Sequence, residues 1–472
     1  MVRNGRSLTR RTALKTIGGT ALAATGLAGA TPAVAGGISQ TEYDETVDIV
    51  ADFGADPTGE EPIDDALAEA VTDDTKVVFP EGRYLVSETF TRWGSADDEL
   101  RNVALVGAGE EPGDVTITPP VGTQQYVFFL GGDAIRVENM AFDESTEDTS
   151  TGLVARCDDD LVLRDLRFLG PAGGPGVAEV VDSPVEVDVA GPFNIIPGVR
   201  DPDGVGLIEN VHAPDGSVDH YRKGAVFLDN GNTRWARHAG HLLFHRCSFE
   251  RFTDNAIYGS SAGQPGAGGS VGVENCFFRN NTVTAIRLGS SGSYAKNCTV
   301  VYDGDGNPPL PWGGTAGRAG WVWYDFDGSY KNIDVVLDNP NGFGFYTHPS
   351  HSEEFTLENW RVRVDDVGPV VQAQPGPAAS IENLSVTGES DLLAAIQLFD
   401  RDAEIKNACI DQPSAGRNGV VATGSAQVQV KNSYVEVGGD AFSEADDATI
   451  EVVNRRQNGN CPPAQREHSA EQ

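Results

Sequence analysis

Residues Phe355-Thr356-Leu357-Glu358-Asn359-Trp360-Arg361-Val362 are followed by Ala379-Ser380-Ile381-Glu382-Asn383-Leu384-Ser385-Val386, by Ala403-Glu404-Ile405-Lys406-Asn407-Ala408-Cys409-Ile410 and by Val428-Gln429-Val430-Lys431-Asn432-Ser433-Tyr434-Val435. Aligned on the asparagine, these segments share one form: apolar, x, apolar, x, Asn, then a second alternating run. Alternation with period two on both sides of a turn residue reads as strand, turn, strand. From Asn332 the pivots Asn359, Asn383, Asn407 and Asn432 follow at intervals of 27, 24, 24 and 25 residues. A fixed period in this range is the mark of a solenoid, in which each coil buries its apolar face only against its neighbours.

The unit extends toward the N-terminus. Ile135–Phe142 and Val271–Phe278 repeat it, with pivots at Asn139 and Asn275, and Asn210 and Asn297 are further pivots. Asp165 and Arg246 occupy the same place in two more units. Longer gaps, such as 297 to 332, imply loops inserted between coils. Asn tolerates a left-handed turn and hydrogen-bonds locally. Stacked at about 4.8 Å, such side chains can also bond one another. This resembles the asparagine ladder of pectate lyases, whereas the leucine positions of a leucine-rich repeat are absent. The start of the chain agrees: Phe53-Gly54-Ala55, an acidic stretch, a short helix expected over Pro62 to Val71, then Phe79-Pro80-Glu81-Gly82-Arg83-Tyr84. The order is similar to the capped beginning of the pectate-lyase-like superfamily, and the resemblance covers roughly residues 47 to 455. It implies an all-β, right-handed parallel β-helix of about 11–13 coils with an N-terminal capping α-helix. The expected organisation is a signal peptide over 1–35, a cap over 36–76, the β-helix over 77–455 with long loops near 171–222 and 303–320, and a polar tail over 456–472.

Each unit carries another strand further on. The apolar column Val226, Ile257, Ile286, Val322, Tyr346, Val371, Ile396 and Val421 is expected to face inward. Period two then turns Phe227, Tyr258, Arg287, Trp323, Thr347, Gln372, Gln397 and Ala422 outward. The same counting puts Tyr324, Cys247, Cys276 and Cys298 inward. Cys409 and Cys461 are left as a pair able to form a disulfide.

Arg10-Arg11, an apolar Ala/Gly-rich run from Thr16 to Ala30 and Ala33-Val34-Ala35 read as a twin-arginine export signal. The run is short and Gly-rich for a membrane span, and no later stretch is long and apolar enough. The expectation is therefore an extracellular, monomeric protein without a membrane span. The chain has 472 residues and a formal charge of −36. Five of its 34 bases precede residue 36 while all 70 acids follow it, which leaves 29 against 70, a net of −41 after cleavage. Such self-repulsion disfavours a compact state at low ionic strength, and molar salt screens it within about 3 Å. The pattern suits a salt-adapted protein and speaks against nucleic acid as a partner.

Against that background, His220, Arg222, Lys223, Arg234, Arg237, His238, His241, His245, Arg246 and Arg251 form a basic island. It is read either as attraction for an acidic polysaccharide or as a set of bases paired with nearby acids. In the resembled superfamily the substrate groove runs along the column Phe227 to Thr347. Arg287 is placed there to neutralise a uronate carboxylate. Lys223 is read as base or neutraliser, Tyr258 as base, acid or stacking platform, and His348 as acid or base. Arg222, Phe227, Arg237, His238, Asp254, Asn255 and Trp323 are candidate substrate contacts, Trp323 by stacking on sugar. Phe252-Thr253-Asp254-Asn255 resembles the first element of the polygalacturonases, but their paired acids and Gly-His-Gly are missing. Tyr346-Thr347-His348-Pro349 is loosely similar to a segment of mannuronan epimerases, with Thr347 where an Asp is expected. No cofactor is implied except a calcium ion at Asp303, Asp305 and Asn307, whose spacing begins like a calcium loop. The expected function is a polysaccharide lyase acting on a uronate polymer by β-elimination. The alternatives are a glycan-binding or adhesin-type β-helix and, on the same groove, an epimerase or glycoside hydrolase.

Overall fold

Twelve pivot residues share the left-handed conformation the repeat demands. Their φ angles run from 50° at Asn432 to 57° at Asn359 and Asn454. Asp165 and Arg246 are among the twelve, at 53° and 54°. For an L-residue this conformation costs about 1 kcal/mol, least for Asn and Asp. The ladder hydrogen bonds offset that cost. Nδ2 of Asn297, Asn332, Asn359, Asn383 and Asn407 each donates to Oδ1 of the pivot one coil before it, at 2.8–3.2 Å. Asn454 adds a last rung on Asn432 at 3.3 Å. It escapes the sequence pattern because charged Arg455 and Arg456, not an apolar strand, follow it.

The computed structural model describes residues 42–93, 99–174, 193–218, 223–228, 238–260, 268–304, 317–338, 342–365, 368–391 and 393–465. Each coil runs through three strands. The first precedes the pivot (Phe355–Glu358), the second follows it (Arg361–Val364), and the third closes the coil (Val371–Ala373). Every strand pairs in parallel with its equivalent in the next coil, so three long parallel faces enclose one core. The fold is a right-handed parallel β-helix, as the repeat implies.

The core is a stack of inward columns. Cys247, Cys276 and Cys298 lie within it at 0–1% exposure, next to the pivots that place them. Phe142 and Phe168 stack at 5.1 Å between centroids in the N-terminal coils. One helix, α1 (Asp64–Ala70), covers the open N-terminal end and buries Ala66, Leu67 and Ala70. It begins later than Pro62 because Pro62 bridges to Leu85 and Ile63 N–H donates to Leu85 O. At the other end the chain doubles back along the second face. Ser385 Oγ donates to Pro462 O, Gln465 N–H donates to Asp334 Oδ1, and Cys409 and Cys461 form a disulfide. Among the described residues no helix is long and apolar enough to cross a membrane. The export signal and the residues up to 41 lie outside the described residues.

Candidate functional site on the third face

The register of the third strands decides which side chains meet outside the solenoid. Phe227 pairs with Tyr258, Tyr258 with Arg287, Arg287 with Trp321, Trp321 with Tyr346, Tyr346 with Gln372, Gln372 with Gln397 and Gln397 with Val421. This corrects the expected column at two coils. Tyr346 and Val421 face outward, while Thr347 and Ala422 are buried at 0%. In the first case Phe345 competes with Tyr346 for the core and wins, because a ring without a hydroxyl loses no hydrogen bond on burial. Thr347 Oγ1, turned in, accepts from Gln374 N–H at 2.7 Å. In the second case Val420 and Val421 are chemically equal, and alternation alone cannot choose between them. Trp323 does face outward, two residues beyond Trp321. Tyr324 is not inward: it sits half-buried in the following turn at φ 45°.

Arg287 is the centre of the face. Its guanidinium lies 4.0 Å from the Tyr258 ring, 4.1 Å from Trp323 and 4.7 Å from Trp321, and the residue is 6% exposed. Desolvated contacts of this kind are worth about 1–2 kcal/mol each. Arg318 continues the pattern at 4.6 Å from Trp321 and 5.3 Å from both Phe343 and Tyr346. Toward the N-terminus Phe227 packs against Tyr258 at 5.2 Å and stacks on Phe193 at 5.0 Å. The result is a row of rings and planar cations across consecutive coils.

His348 stacks on Trp323 with centroids 3.3 Å apart and planes 9° from parallel. Its Nδ1 accepts from Ser350 N–H at 3.1 Å and lies 2.7 Å from Ser350 Oγ. A nitrogen that accepts from a backbone amide carries no proton, so the neutral ring holds its proton on Nε2. Burial, and then the charge of Arg287, push its pKa down to about 4. His348 thus presents an N–H donor near neutral pH.

The structure brings Tyr258, Arg287, Trp323 and His348 together and leaves Lys223 elsewhere. Lys223 is 2% exposed, its Nζ donates to Ser150 Oγ at 2.5 Å, and its side chain points toward coils before Tyr258. The charge that acts on it is Glu144, which is 1% exposed and accepts from Thr151 N–H at 3.0 Å and Asn194 Nδ2 at 2.9 Å. Burial pushes the Glu144 carboxyl up and the Lys223 ammonium down. The sequence hid this pair because Glu144 lies in a turn 79 positions before Lys223, outside any repeat strand. Asp254 and Asn255 are buried at 0% and bond each other at 2.6 Å, so they support the edge of the sheet rather than line the groove.

The described members of the basic island resolve mostly into paired or buried groups. His238 is buried at 0%: its Nδ1 accepts from Val199 N–H and its Nε2 reaches Ser270 O, which leaves neither nitrogen for a ligand. His245 and Arg246 share Glu209 at 3.0 and 2.8 Å. The His245 hydrogen bond, with Arg164 and Arg246, holds the Glu209 carboxyl down at about 2. His220, Arg222, Arg234 and Arg237 lie outside the described residues. The calcium reading loses its first member: Asp303 receives Arg279 Nε and Nη2 at 2.9 and 2.6 Å and Asn280 Nδ2 at 2.8 Å, donors that occupy the oxygens a cation needs. Asp305 and Asn307 lie outside the described residues. Among the described residues no group of three or more His, Cys, Asp or Glu is placed to hold a metal.

Comparison with known proteins adds likeness of shape. No family model and no curated protein matches the sequence. The catalytic unit of a GH87 α-1,3-glucanase from Streptomyces thermodiastaticus is similar at 13% identity and a TM-score of 0.44, over 86% of this chain and 68% of that one. PfbA, a surface adhesin of Streptococcus pneumoniae, is similar at 11% identity and a TM-score of 0.47, over 86% and 93%. At such distances the fold stands on the strand pairings above, and the chemistry stands on the residues of the third face.

Proposed function

We propose that this protein is a secreted polysaccharide-active enzyme, exported by the twin-arginine route, that cleaves a uronate polymer by β-elimination on the third face. The observation that carries the reading is Arg287, held by Tyr258, Trp321 and Trp323, with His348 stacked on the same Trp323. A uronate carboxylate bound at Arg287 is neutralised there, which makes the adjacent C5–H acidic. Tyr258, as its phenolate, takes that proton. The electron pair forms the C4–C5 double bond, the C4–O bond breaks, and the tyrosine returns the proton to the leaving oxygen. Trp321, Trp323 and Phe227 offer rings for stacking along the sugar chain. Hydrolysis is less well supported, because the outward column from Phe227 to Val421 contains no carboxylate and glycoside hydrolysis generally uses two.

A second reading, glycan binding without turnover as in an adhesin, is favoured by the spread of the partly exposed aromatic row from Phe227 to Tyr346, beyond what one catalytic centre needs. Incubation with a panel of acidic polysaccharides in molar salt separates these readings. New ultraviolet absorbance from unsaturated ends supports the lyase. Reducing ends without absorbance mean hydrolysis, and retention on the polymer without either means binding alone.

A further inference from the structure

The stack of His348 on Trp323 hangs on two turns, and both turns end on the same buried arginine system. Arg401 is 0% exposed and donates to no carboxylate. Its Nε donates to Gln374 O at 2.7 Å and its Nη1 to Pro377 O at 2.6 Å and Glu353 O at 3.3 Å. Its Nη2 donates to Pro375 O and to Nδ1 of His351, at 3.3 and 3.2 Å. The collar Gln374-Pro375-Gly376-Pro377 suits this task. Its prolines carry carbonyls without competing N–H groups. A Cβ at Gly376 would stand 2.0 Å from Nη2, so only glycine lets the guanidinium in.

His351 relays the contact. It is 2% exposed, and because Nδ1 faces guanidinium donors, Nε2 carries the proton and donates to Phe326 O at 2.8 Å. Phe326 ends the turn that starts at Trp323, with Phe326 N–H bonded to Trp323 O at 3.3 Å. His351 ends the turn that starts at His348, with His351 N–H bonded to His348 O at 2.9 Å. Gln374, which accepts Arg401 through its carbonyl, donates its own N–H to the Oγ1 of Thr347, the residue before His348. Each of the two stacked rings is therefore fixed at the far end of its turn by one hydrogen-bonded latch.

We infer that Arg401 and His351 are positioning residues that hold the indole of Trp323 and the imidazole of His348 face to face, and so set the width of the groove beside Arg287. Neither residue touches the glycan. This rests on the proposed function for what the stack does, but not for whether the latch holds it. Arg401→Met and His351→Leu each cut the relay. His351→Gln keeps an acceptor for Arg401 and a donor for Phe326 O and serves as the rescue. The first readout is the near-ultraviolet circular dichroism that Trp323→Phe removes from the wild-type protein. Folded Arg401→Met and His351→Leu are expected to lose most of that signal, and His351→Gln to restore it. Affinity for acidic oligosaccharides is expected to fall about tenfold with the signal, a loss typical of a displaced binding group. If Arg401→Met does not fold, Arg401→Lys, which keeps the charge without the fork, is read in its place. A folded variant with the Trp323 signal intact overturns the inference. A wild-type protein that binds no acidic glycan refutes the proposed function instead, and the dichroism still decides the latch.

Discussion

Replacing Asn359 tests the physical basis of the ladder. Its Nδ2 donates to Asn332 Oδ1 at 2.8 Å, its Oδ1 accepts from Asn383 Nδ2 at 2.8 Å, and its φ is 57°. Asn359→Ala removes both bonds, each worth about 0.5–1.5 kcal/mol net. It also places an alanine where the left-handed conformation costs about 1 kcal/mol. The sum is a destabilisation of about 2–4 kcal/mol. Asn359→Gly loses the same bonds but has no conformational penalty in the folded state, only a greater loss of chain entropy of about 0.5–1 kcal/mol. Glycine is therefore expected to match or surpass alanine here, the reverse of their usual order inside strands. The assay is urea unfolding in molar salt followed by tryptophan emission, to which fully buried Trp360, next to the pivot, contributes. An alanine variant clearly more stable than the glycine variant, or as stable as the wild type, would refute the account of the pivot as a strained turn stabilised by its neighbours.

Three further outcomes are expected. Arg287→Ala should lower turnover on a uronate polymer by about two to three orders of magnitude while far-ultraviolet dichroism is unchanged, as for loss of one charge-stabilising donor; near-normal rates remove Arg287 from the mechanism. The melting temperature should rise as salt goes from millimolar to about 1 M, because a formal charge of −36 repels itself until screened; a flat or falling curve contradicts this. Acid should destabilise the protein before its carboxylates titrate. Burial lowers the pKa values of His212, His238, His348 and His351 from 6.5 to about 4. The unfolded chain then binds more protons between those values. The stabilisation is complete above 6.5 and is lost as pH falls toward 4. His241, also lowered by burial, adds to this, and Glu144 and Glu250, whose carboxyls burial pushes up, oppose it. Melting temperatures that stay level from pH 7 to 4.5 would contradict the assignment, and His238→Gln should flatten the slope.

Legibility in the sequence followed the repeat. Where a pivot and alternating apolar residues recur, as at Asn383 and Asn407, the local code names the strand, the turn and the inward side chains without ambiguity. Tyr258, Arg287 and Trp323 were legible as outward groups for that reason. Reading failed where two neighbours compete equally for the core, as Phe345 does with Tyr346 and Val420 with Val421. It failed again for groups that meet from turns of different coils. Glu144 with Lys223 and Arg401 with His351 are separated by 79 and 50 positions and obey no period.

By itself the sequence determined a capped parallel solenoid and a strongly acidic chain. Pivot spacing, period-two burial and formal charge are properties of the chain, and the coil-on-coil geometry leaves them one arrangement. Tertiary structure decided which outward residues are neighbours, that the ring of His348 donates rather than accepts, and that Lys223 and His238 are held inside. Those outcomes depend on the exact register between coils and on burial. Both arise from packing across long separations that no local pattern encodes.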